Sequence, residues 1–188
     1  LWVLEHTLRF LAAHRERLPG QRFAINLAPS TVCRVQFPLE VNRLLAKYAI
    51  EPWQLIFEVT ECSTFCNAEQ ALHILRQLQK MGVRIAIDDF GTGYASYARL
   101  KSVDADILKI DGSFIRNIVN NSLDYQIVAS ICHLARMKKM LVVAEYVESE
   151  EIRSAVQALG IDYVQGYLIG RPAPLESLLE AEASTADA

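Results

Sequence analysis

Short apolar runs and longer amphipathic stretches alternate along this chain six times over, and that alternation leaves few folds open. Arg22 to Leu27 reads as a short strand of the buried kind, Leu55 to Glu61 alternates apolar and polar as a strand does, and Arg84 to Phe90, Ile107 to Asp111, Leu141 to Val147 and Tyr163 to Leu168 read as further strands. Helical spacing marks Leu1 to His14, with Leu1, Leu4, Leu8 and Leu11 on one face, and then Thr31 to Ala49. It returns in Ala68 to Met81 and briefly near Ala95 to Leu100. Ser122 to Met137, Glu150 to Leu159 and a last segment from about Leu175 complete the set. Pro19-Gly20 and Gly82 punctuate the pattern. Strands that alternate with helices predict a parallel sheet, right-handed crossovers and helices packed outside it. A closed (β/α)₈ barrel typically takes about 250 residues. With 188 residues, this chain is expected to be a TIM-like (β/α) barrel that lacks its first strand.

Composition narrows the class. With 52% hydrophobic and 22% charged residues the chain can bury a core of useful size, so one domain over 1–183 is expected, followed by a frayed tail at 184–188. A net charge of -3 carries no basic excess, which argues against duplex nucleic acid or an anionic membrane as partner and leaves a small charged ligand open. Apolar runs such as Met140 to Ala144 fall far short of the ~20 residues that span a bilayer, so no membrane contact by this segment is expected. Cys33, Cys62, Cys66 and Cys132 lack paired Cys-x-x-Cys spacing, which favours a reduced, cytoplasmic setting over zinc or disulfides. That setting includes the cytoplasmic part of a larger membrane protein. The chain opens inside a helix without an initiating Met, so it is expected to be a piece of a longer polypeptide.

Function is written at the strand ends. Each strand delivers a polar residue at its carboxyl end: Asn26, Glu58 with Glu61, Asp88 with Asp89, Lys109 with Asp111, Glu145, and Gln165. In an α/β barrel those ends share one face, where active sites are built. Any one of them alone reads as a capping or salt-bridging residue; six in register read as a site. Five carboxylates (Glu58, Asp88, Asp89, Asp111, Glu145) brought close repel one another by several kcal/mol unless cations neutralise them. With oxygen donors only, the cluster selects hard ions such as Mg²⁺ or Mn²⁺. Adjacent Asp88 and Asp89 could serve two ions, as a two-metal phosphodiester hydrolase requires. Lys109 would orient or deprotonate the attacking water, or offset charge on a phosphoryl group, the alternative being a plain salt bridge to Asp88 or Asp111. Gly91 and Gly93 permit unusual backbone angles and close approach to a ligand.

Taken together, Ile25-Asn26-Leu27, Phe57-Glu58-Val59-Thr60-Glu61, Asp88-Asp89-Phe90-Gly91-Thr92-Gly93-Tyr94, Leu108-Lys109-Ile110-Asp111, Ala144-Glu145 with Val147-Glu148, and Gln165-Gly166-Tyr167 closely resemble the EAL-domain cyclic-di-GMP phosphodiesterase family. The resemblance implies a modified TIM barrel that hydrolyses one phosphodiester of cyclic di-GMP to linear pGpG with two Mg²⁺ or Mn²⁺ ions. It implies Asn26, Glu58, Asp88 and Asp89 as metal ligands and Lys109 as the residue that positions or activates water. Glu145 and Gln165 resemble further active-site contacts. Glu61 resembles the glutamate that anchors the glycine-bearing loop, which in the family links metal binding to dimer contacts. A homodimer, and linkage to sensory or diguanylate-cyclase-like domains, follow from the same resemblance.

Three features depart from the family pattern. Its Glu-Ala-Leu strand, with a metal-binding Glu, would lie before Leu1, so the fragment alone is expected to be inactive; Tyr146 stands where Gly is usual, and Ala28 where Ser is frequent. A second reading is therefore a catalytically silent cyclic-di-GMP receptor. A third is a phosphorylation-dependent receiver domain, disfavoured because the strand after the acidic pair carries Lys109 and too many other strand ends are polar.

Overall fold

The computed structural model describes residues 1–60, 68–92, 100 and 103–179. In chain order the elements are α1 (Trp2–Ala13), β1 (Phe23–Asn26), α2 (Pro29–Val32), α3 (Phe37–Tyr48), β2 (Leu55–Thr60), α4 (Ala68–Lys80) and β3 (Arg84–Phe90). They continue with β4 (Ile107–Ile110), α5 (Gly112–Ile115), α6 (Ser122–Met137), β5 (Leu141–Ala144), α7 (Glu150–Ala158) and β6 (Tyr163–Val164). All neighbouring strands are parallel and lie in the order β1-β2-β3-β4-β5-β6. Sequential order without reversal is the winding of a (β/α) barrel, as expected, and differs from a doubly wound sheet, which turns back at a switch point.

Burial follows from that winding. β3 is buried over most of its length and β4 throughout, because side chains on both faces are covered, whereas the outermost strands β1 and β6 stay partly exposed. One contiguous core runs from Leu4, Leu8 and Leu11 of α1, through Phe57, Ile85 and Leu108 of the central strands, to Val156 of α7.

The elements depart from expectation in four places. The helix expected over Thr31 to Ala49 is two helices, because Pro38 in the first turn of α3 has no N–H to give to the turn before it and its ring would strike that turn's carbonyl. The fifth strand stops at Ala144 rather than Val147, since Tyr146 takes φ +56° and leaves the ladder. The sixth stops at Val164 rather than Leu168, where Gly166 presses against the Val147 backbone and its carbonyl accepts from Ile169 and Gly170 N–H as the chain turns. The short α5 had no periodic signal, and Asp111, expected to end a strand, caps it by accepting from Ser113 N–H at 2.9 Å. The helix expected near Ala95 to Leu100 lies outside the described residues apart from Leu100, as do Glu61, Gly93 and the tail at 184–188.

Candidate functional site

Parallel register places the polar strand ends. Asn26 pairs with Glu58 and Thr60 with Asp88, so Glu58 and Asp88 lie on the same face of β2 and β3. Between β3 and β4 the register shifts: Ile87 pairs with Leu108 but Phe90 with Ile110. Two residues, Asp88 and Asp89, therefore oppose the single Lys109. That is a β-bulge, and Asp89 takes φ +54° to make it. On an unbulged strand successive side chains point to opposite faces; here both carboxylates serve one site. On the far side Lys109 pairs with Val143, and Glu145 follows two residues later on the same face.

Lys109 is the hub. Its Nζ lies 2.8 Å from Asp88 Oδ1, 2.8 Å from Glu145 Oε1 and 3.2 Å from Glu58 Oε1. All four groups are buried, with residue exposures of 5–9%. Burial alone would lower the ammonium's pKa. The hydrogen bonds to Asp88 and Glu145 and the charge of Glu58 outweigh it, so the pKa stands above the free-lysine value. The pKa values of three carboxylates rise as well, which for an acid disfavours the charged form. Burial pushes Glu58 and Glu145 up against the opposing pull of Lys109, and it raises Asp89 with help from the charges of Asp88 and Asp111. One ammonium thus faces four acidic groups, and the balance at the site is negative.

The donor chemistry fits a hard divalent cation. Single oxygens of Asp88, Asp89 and Glu145 lie within 4.8 Å of one another. Two ligands of one Mg²⁺ are at most about 4.2 Å apart, so small adjustments would close the set. Asn26 stands exposed beside Glu58 at the end of β1, while Asp111 Oδ1 accepts from Ser113 N–H and the charge of Asp111 helps to raise Asp89. Gly91 has φ +108°, and a Cβ there would come within 2.5 Å of the Phe114 ring. Gln165 lines a cavity of ≈ 200 Å³ with Glu145, Tyr146, Glu148, Gly166 and Tyr167.

The sequence model of the EAL domain family matches residues 1–172. The chain belongs to the EAL domain family. This EAL domain is 70% identical over 183 residues to the cyclic di-GMP phosphodiesterase PdeF of Escherichia coli K12, which covers 97% of the chain and 24% of PdeF. The chain thus spans about a quarter of the length of the curated relatives it matches. Its fold superposes on the EAL domain of Mycobacterium smegmatis DcpA with a TM-score of 0.92 at 29% identity, over 97% of this chain and 83% of that one. With the PaMucR phosphodiesterase in complex with c-di-GMP the TM-score is 0.86 at 39% identity, over 94% and 72%. No helix among the described residues of this EAL domain is long and apolar enough to cross a membrane.

Sequence reasoning did not single out Arg116 or Phe114, both on or just after α5. The guanidinium of Arg116 lies 4.0 Å from the centre of the Tyr146 ring, and Phe114 fills the space beside Gly91. A four-residue helix is too short to show a period, so composition gave no signal for either.

Proposed function

We propose that the protein containing this chain hydrolyses one phosphodiester of cyclic di-GMP to linear pGpG, using two Mg²⁺ or Mn²⁺ ions. The observation that carries the reading is the buried Lys109 ammonium held by Glu58, Asp88 and Glu145 at the carboxyl ends of four neighbouring strands. Asp88, Asp89 and Glu145 would hold a first ion, with Asn26 and Glu58 available to a second and Gln165 contacting the site beside Glu145. The remaining family ligand would come from the parent chain before Leu1. Bound divalent ions supply charge to the phosphate and lower the pKa of water.

In the hydrolysis the oxygen of water bonds to phosphorus and gives up a proton, the bond from phosphorus to one ribose 3′ oxygen breaks, and that oxygen takes up a proton. Lys109 donates hydrogen bonds throughout. Held among Glu58, Asp88 and Glu145, it would orient or activate the attacking water and offset the growing charge on the phosphoryl oxygens. The glycine-bearing loop, with Gly91, Gly93 and the anchoring Glu61, would border substrate and carry the homodimer contact. Sensory or cyclase-like domains would flank the segment, in keeping with the bifunctional diguanylate cyclase/cyclic di-GMP phosphodiesterase MucR of Pseudomonas aeruginosa, 27% of which this chain covers. A cytoplasmic location agrees with the free Cys33 and the free, buried Cys132.

Full-length protein with saturating Mn²⁺ should convert cyclic di-GMP to pGpG, and Ca²⁺, larger and more loosely coordinated, should inhibit. Binding without product would sink the enzyme and leave the receptor.

A further inference from the structure

Tyr146 occupies a backbone conformation that a bulky residue avoids. At φ +56° it lies in the left-handed region, which costs a non-glycine residue roughly 1–2 kcal/mol. Its surroundings hold it there. Glu145 N–H donates to Ile110 O at 3.2 Å and Val147 N–H to Gln165 O at 3.0 Å, so the residues on either side are pinned to neighbouring segments. The ring lies over Gly112, where a Cβ would come within 2.1 Å of Tyr146 Cδ2; glycine at 112 is what leaves room for it. The Arg116 guanidinium sits 4.0 Å from the ring centre. An aromatic ring set on a cation gains about 0.5–1 kcal/mol at an exposed site, enough to offset part of the strain.

The ring so held is 45% exposed, and it forms part of the wall of the ≈ 200 Å³ cavity next to Glu145. Tyr167, on the same wall, is likewise set on a cation, with Arg171 at 4.6 Å. A cavity below the ~300 Å³ at which drug-sized sites begin takes one part of a ligand rather than the whole. Among the parts of a cyclic dinucleotide, phosphates seek cations and ribose seeks hydrogen bonds. A planar base seeks a flat π surface. A rigid ring with open surface beside a catalytic carboxylate suits the base, and strain maintained at such a place points to use.

We propose that Tyr146 is a substrate-binding residue whose ring stacks on one guanine base of cyclic di-GMP, with Arg116 as the positioning residue that holds the ring in place. The inference rests on the cyclic-di-GMP reading above and adds to it the contact that anchors one base. Arg116 acts through Tyr146, so its removal matters only while the ring is there.

The test uses full-length protein with saturating Mn²⁺ and cyclic di-GMP, in the variants Y146F, Y146L and Y146G. Phenylalanine keeps the π face and should leave KM within about twofold of wild type. Leucine and glycine should raise KM roughly 5- to 150-fold, the range of one lost base–aromatic stack, with kcat within about threefold. Glycine tolerates φ +56°, so Y146G should melt at or above the wild-type temperature, which separates lost binding from lost folding. R116M should raise KM in the wild-type background and add nothing to Y146G. Unchanged KM in Y146G, or a fall in kcat at constant KM, overturns the proposal alone. A wild-type protein that neither binds nor hydrolyses cyclic di-GMP overturns it together with the function on which it rests.

Discussion

Acidic residues stand at both ends of the same sheet, and they do different things there. At the amino ends of the strands, Asp106 accepts from Ile85 N–H at 2.8 Å and from the Gln79 side chain at 3.0 Å, and Asp162 accepts from Val142 N–H at 2.8 Å. Each precedes its strand by one residue and closes the ladder of the neighbouring strand, β3 or β5. Lys138 is used in the same way, donating to the carbonyls of Leu100 and Val103. At the carboxyl ends, Glu58, Asp88 and Glu145 converge on one another and on Lys109. The acids at the lower end complete a backbone; at the upper end three acids share one cation. Residue type alone does not separate structure from chemistry, but the partner does.

The sharpest way to break this comparison is at Lys109. Lys109→Met leaves Glu58, Asp88 and Glu145 buried without their cation, so the metal-free protein should lose about 3–5 kcal/mol of stability in denaturant titration. With Mn²⁺ saturating, kcat should fall by roughly 10²–10⁴-fold while nucleotide affinity changes far less. Equal losses in both would contradict its role in turnover.

Acid should act on the upper end first. Glu58, Asp89 and Glu145 have folded-state pKa values above their ordinary 4.5, 3.8 and 4.5. Because the folded values are raised, burying the ionised forms costs stability above that window, and the cost disappears as pH falls through it. Bound metal requires the ionised forms, so its dependence has the opposite sign: Mn²⁺ affinity should weaken on acidification before the ordinary carboxylate range is reached, by roughly tenfold per pH unit for each proton displaced. Lys109 contributes nothing in this window, since its stabilisation is lost only at pH above its ordinary 10.5. Calorimetric Mn²⁺ titration across the acid range checks the sign; a flat affinity would remove the buried carboxylates from the metal site.

The smallest effect belongs to the lower end. Asp106→Ala strands the Ile85 N–H and should cost about 1–3 kcal/mol in denaturant titration, with kcat per folded molecule unchanged within about twofold. If that variant lost turnover while remaining folded, the division between the two ends would not hold.

Much of this was legible beforehand, for a specific reason. Period-two and period-3.6 patterns are local, so the strands carrying Glu58, Asp88, Lys109 and Glu145 could be read one at a time, and the winding of a barrel brought their ends together. What lay between strands could not be read. The bulge that brings Asp89 beside Asp88 depends on how β3 registers against β4, and no residue of β3 announces it. Asp111 ends a strand run and its charge reaches Asp89, but its second part, the cap of α5, depends on a helix too short to show a period. The break between α2 and α3 is legible in Pro38, which a single helix over Thr31 to Ala49 leaves out of account. Tyr146 was visible as an oddity; its tie to Arg116 arises only when β5 and α5 lie side by side.

Because the strands follow one another around the sheet without reversal, each βα unit places its own polar residue at the common face. Shape and reactivity are thereby carried by separate residues: the apolar bodies of β2 to β5 set the walls, and single positions at their ends set the chemistry. Exchanging one of those carboxylates for its amide would change the charge and the donors at the common face while leaving the walls largely as they were. In such an architecture the chemistry of the face can be altered one residue at a time without rebuilding the sheet beneath it.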